Sequence, residues 1–197
     1  RPDHTFPPMP PDLSFWKTAQ RKAIAAAKSP ARAEHLLDEA EHFAAHASDA
    51  YQRTAVLAWP IAAALHLADA ERGLARYDRA KPFLARARRL FARALAQLPA
   101  VTPAASRAHA LELLLHAAFP LGEDARDRCL AELLALYRTD KHWRIERAAR
   151  DAAALLAPHH PDLVARRLDA LNDPRLAARI ARHRARYPTF APRPFIF

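Results

Sequence analysis

Apolar positions recur at helical spacing along most of the chain, and prolines punctuate them. Leu36, Leu37, Ala40, Phe43 and Ala44 make one such stripe, and similar stripes follow between successive prolines. The spacing predicts nine helices: about 15–28, 30–47, 50–72, 82–99, 103–119, 125–137, 141–156, 162–171 and 174–186. Ser14 and Ser48 or Asp49 stand where helix caps are wanted, and Ser29-Pro30, Lys81-Pro82, Thr102-Pro103 and Asp173-Pro174 read as helix openings. Pro60 falls inside the third helix and is expected to kink it. Short connections and the lack of long heptads point to helices in antiparallel pairs. The expected fold is all-α, either α-solenoid-like or an irregular helical bundle, over residues 12–186.

Both ends depart from this pattern. Residues 1–11 are rich in proline and read as an extended arm. Residues 187–197 combine prolines with Tyr187, Phe190, Phe195, Ile196 and Phe197, which are too apolar to stay in water. Such a tail either folds back across grooves between helices or inserts into a partner, and proline stiffness favours folding back. Beginning at Arg1 rather than Met, the chain is read as lacking an upstream segment of unspecified kind.

Composition sharpens the fold class. Only 2 of 197 residues are Gly while 17 are Pro, and 51% are hydrophobic, dominated by Ala and Leu. Ala, Leu and Arg favour helices, and few β-branched residues or turn glycines remain for a sheet or a phosphate-cradling loop. The stretch 55–68 is the most apolar, but it is too short for a membrane span. A single cysteine, Cys129, excludes an internal disulfide and reads as a small buried residue.

Charge is unevenly placed. The net charge is +10, and most of the 31 basic residues are Arg. Residues 1–71 are slightly acidic, so the excess lies further on, concentrated in two blocks. In the last helix Arg175, Arg179, Arg182 and Arg186 share one face, and Arg86, Arg89 and Arg93 form a shorter stripe of the same kind. These seven are the candidate contacts to a partner of acidic character, a protein or peptide. Nucleic acid is the second choice, because the aromatic interleaving needed to stack bases is missing from these two helices.

Histidines supply the remaining candidate chemistry. His35, Glu39, His42 and His46 line one helix face with metal-ligand spacing, which keeps a metal-binding bundle as a further alternative. His109, Glu112 and His116 make a second stripe that reads as polar and partly exposed. No nucleophile elbow, phosphate loop or HExxH motif is present, so neither catalysis nor a cofactor is expected.

Two local motifs resemble helical repeats. Ala87, Phe91, Ala94 and Pro99 reproduce the second-helix spacing of a tetratricopeptide repeat, although Asp78 stands where that family has an aromatic. The segment Asp140-Lys-His-Trp-Arg-Ile-Glu-Arg resembles a HEAT repeat, and the run from Asp173-Pro174 resembles the same motif, with Arg179 matching a position that is Glu146 in the first. The resemblance implies a scaffold presenting a surface to another protein, as an adaptor, regulator, chaperone or inhibitor. HEAT-type DNA glycosylases also exist, and Asp140, Trp143 and Arg147 are residue types that such enzymes use.

Overall fold

A computed structural model describes residues 14–188, 191–193, 195 and 197. The arm expected over 1–11 lies outside the described residues. Ten α-helices and no strand occur among those described. They are α1 (Phe15–Lys28), α2 (Ala33–Ala45), α3 (Ala50–Ala55), α4 (Ala58–Gly73) and α5 (Tyr77–Gln97), followed by α6 (Ala104–Ala118), α7 (Glu123–Thr139), α8 (Trp143–Leu156), α9 (Pro161–Leu171) and α10 (Pro174–Arg186). All nine expected helices are present, the third of them divided into α3 and α4. The protein is all-α, and no helix among the described residues is long and apolar enough to cross a membrane.

The two prolines act differently from expectation. Pro60 does not kink a long helix. The break comes earlier, at Val56-Leu57, and Pro60 sits in the first turn of α4, where its missing N–H has no carbonyl to serve. Pro82 does not open the fourth helix either. It lies inside α5, one turn after the start at Tyr77, and only that first turn loses a hydrogen bond.

Two boundaries show the local chemistry at work, whereas Ser14 stands at the start of α1 without a side-chain cap bond. Gly122, at φ 110°, makes the turn into α7 in a conformation that favours glycine. Asn172 takes the left-handed conformation after α9, and the Asp173 carboxylate then accepts the N–H groups of Arg175 and Leu176 to start α10.

Packing follows the order of the chain. α1 pairs with α2, α4 with α5 and α6 with α7, while alternate helices α1, α4, α6, α8 and α10 lie in a row, each against the next. The buried face of α1 consists of Ala19, Ala23, Ala26 and Ala27. Small side chains there let neighbouring backbones approach closely. Larger residues fill the middle: Leu111, Leu114, Leu115, Leu130, Leu133, Ile145, Leu155 and Leu156 are fully buried, each worth about 1.5–3 kcal/mol. Being flanked by α3, α4, α7 and α8, α6 is buried along much of its surface, and Glu112 and His116 go inside with it.

Candidate binding groove

The two arginine stripes meet different surroundings. Arg86 of α5 pairs with Asp38 and lies 3.4 Å from Glu41 on α2, and Arg89 reaches the same Glu41 at 3.0 Å. Both therefore link α5 to α2. Arg93 has no carboxylate partner among the described residues. On α10, Arg179 pairs with Glu146 of α8, and Arg186 lies over the Tyr187 ring. Arg175 and Arg182 are exposed and carry no side-chain ion pair among the described residues.

The histidine stripe on α2 makes local polar contacts, and His35 and His46 are exposed. Glu39 accepts both of its close contacts, at 2.9 and 3.0 Å, from Lys22 of α1, with His35 Nε2 at 3.8 Å. His46 Nδ1 donates to the His42 carbonyl at 2.8 Å. No group of three or more His, Cys, Asp or Glu that could hold a metal ion occurs among the described residues.

The second stripe is where the helices converge. Its expected partial exposure is corrected by the structure, because α8 and the C-terminal segment cover Glu112 and His116 and leave only His109 exposed. The Tyr51 hydroxyl of α3 and His109 Nδ1 share a hydrogen bond at 2.6 Å, and burial raises the Tyr51 pKa. Opposite, α8 presents Arg144, Arg147 and Asp151 on one face. Arg147 Nη2 stands 3.9 Å from Glu112 Oε2, and Asp151 lies 3.6 Å from His183 of α10.

Between these helices lies a cleft of about 430 Å³ lined by Tyr51, Ser106, His109, Glu112, Trp143 and Arg147. Trp143 stands at its lip, 59% exposed, with the guanidinium carbons of Arg144 and Arg147 5.3 and 5.9 Å from the ring centre. Tyr51 and His109 also line a second, more apolar hollow of about 370 Å³ formed with Trp16, Val56, Trp59 and Leu113. The two hollows share Tyr51 and His109, the first carrying the cationic side chains of Arg144 and Arg147 and the second the rings of Trp16 and Trp59, and together they are called the groove below.

The C-terminal segment borders this groove. The Arg193 backbone N–H donates to His116 Nδ1 at 3.0 Å, and its guanidinium lies 3.6 Å from Glu112 Oε1. Phe195 and Phe197 meet Trp59 edge-on, with centroids 5.0 and 6.4 Å away. Burial first, and the nearby Arg193 second, push the His116 pKa down to about 4.

Of the residues with nucleic-acid-enzyme character, Asp140 accepts the His142 N–H at 2.9 Å and so shapes the start of α8, while Trp143 and Arg147 enter the groove. Arg144 was hidden in the sequence because it belongs to neither arginine block. The pattern Trp143-Arg144-x-x-Arg147 was its only local sign. Comparison with protein-family models, with curated proteins and with solved structures gives no match to this chain.

Proposed function

We propose that the protein is a non-catalytic, helical-repeat-like binding protein that holds an extended segment of an acidic protein or peptide in the groove across α3, α6 and α8. The observation that carries this reading is the exposed Trp143 with Arg144 and Arg147 beside its ring at the mouth of the cleft. Trp, Tyr and Arg supply most of the energy at protein interfaces, since they combine large apolar area with directed polar contacts. The cationic end suits a carboxylate, and the hollow beside Trp16 and Trp59 suits a large apolar side chain. The row of alternate helices supports a solenoid-like scaffold, an arrangement that suits presenting such a surface.

A fluorescein-labelled peptide of Glu and Asp residues around one Phe tests this by anisotropy. Binding is expected to weaken on Trp143→Ala and on the double change Arg144→Gln, Arg147→Gln, and to weaken as salt rises from about 50 to about 500 mM. Unchanged affinity in these variants would remove the groove from consideration. Tighter capture of a single-stranded oligonucleotide than of the peptide would reassign it to nucleic acid, with Trp143 as a stacking platform.

A further inference from the structure

Glu112 is the least expected residue of the groove. Its side chain is only 5% exposed, and its two oxygens face different guanidinium groups, Oε1 that of Arg193 at 3.6 Å and Oε2 that of Arg147 at 3.9 Å. Both distances exceed hydrogen-bond range, and Oε1 has no hydrogen-bond partner among the described residues. A buried carboxylate needs a compensating charge. Here two arginines share that task from opposite sides, one from α8 and one from the C-terminal segment.

The two differ in how they are held. The Arg193 backbone is fixed by its N–H bond to His116, and the segment is anchored further along by Phe195 and Phe197 on Trp59. Arg147 is half exposed, beside Trp143, and its guanidinium faces both Glu112 and the cleft. Whichever arginine compensates Glu112 leaves the other available.

We propose that Arg193 is a specificity-determining residue of the groove: by compensating Glu112 from the C-terminal side it releases Arg147 to pair with an acidic group of a bound segment. Without Arg193 the buried carboxylate draws Arg147 inward, and its own charge repels an acidic ligand. Docking of the C-terminal segment and acidic selectivity are thus two sides of one charge balance. This inference rests on the reading of the groove as a site for an acidic segment.

The test compares the labelled acidic peptide with its Gln-substituted neutral counterpart on the full chain. The parent is expected to prefer the acidic peptide. Arg193→Gln should lower affinity for the acidic peptide about ten-fold and leave the neutral one nearly unchanged. Adding Glu112→Gln to that variant should restore acidic binding, which a merely structural role of Arg193 would not allow. If the parent does not distinguish the peptides, the reading of the groove fails and takes this inference with it. If the parent distinguishes them and Arg193→Gln does so equally, or if Glu112→Gln gives no rescue, the role of Arg193 alone falls.

Discussion

The Tyr137 hydroxyl on α7 donates to Oδ2 of Asp173 at 3.0 Å, tying the start of α10 to the third helix before it. Asp173 serves two structures at once, since its other oxygen accepts the N–H groups of Arg175 and Leu176 at 3.1 and 3.0 Å. One carboxylate thereby fixes where the last helix begins and where it sits.

Asp173→Ala should therefore cost more than an ordinary cap. Cap removal alone is worth about 1 kcal/mol, and the buried Tyr137 would also lose its acceptor. A fall in melting temperature of about 2–4 °C per kcal/mol is expected for a chain of this size, and Asp173→Asn, which keeps a capping oxygen, should lose much less. The Leu176 N–H, with lesser help from the Tyr137 hydroxyl and Lys141, holds the Asp173 carboxyl below its ordinary pKa. Its contribution is present above the ordinary carboxylate range and disappears as pH falls through the lower folded value.

His116 should act in a different pH window. It stays neutral in the folded protein down to about pH 4, whereas the unfolded chain takes up its proton near 6.5. The unfolded state binds more protons between those values, so stability falls as pH drops from about 6.5 toward about 4. Melting curves of the parent and of His116→Gln across this range should diverge, with the flatter profile in the variant. Parallel profiles would place the imidazole in water.

Arg86 and Arg182 both belong to the basic blocks, but their substitutions should differ. Arg86 is mostly covered and bonded to α2, and Arg86→Gln should destabilise by about 1–2 kcal/mol. Arg182→Gln, on an exposed face, should stay within about 0.5 kcal/mol of the parent. Equal melting temperatures for the two variants would mean that the α2–α5 ion pairs contribute nothing.

Removing residues 190–197 should expose the apolar surface around Trp59 and His66 that Phe195 and Phe197 cover. A lower melting temperature and greater binding of an apolar dye are expected. A truncated chain that melts like its parent would show these ring contacts to be without weight.

Helix positions were legible because proline, capping residues and apolar spacing act within a few residues of one another. Asp173 announced α10 in this way, and Ser29-Pro30 the turn before α2. The α3–α4 break was not legible, since Val56 and Leu57 are apolar and fit a continuous helix. Charge partners were hidden for another reason. Arg86 and Asp38 lie 48 residues apart, and a helical stripe shows which residues share a face but not what the facing helix carries. The same blindness made Glu112 and His116 look half exposed, because their burial is imposed by α8 and the C-terminal segment rather than by α6.

The row of helices is not equally rooted along its length. α4 and α6 each bury nine residues, whereas α9 and α10 bury two apiece, Leu163 with Val164 and Leu176 with Ile180. Local opening is therefore graded: amide protons in α9 and α10 exchange through small, low-energy fluctuations, while those in α4 and α6 wait for the whole molecule to unravel. The Arg193–His116 contact bridges that gradient, since it bonds chain that follows α9 and α10 to one of the most deeply set helices. Fraying of the last two helices then meets a restraint at its far end, and the molecule behaves less like an open stack and more like a clasped one.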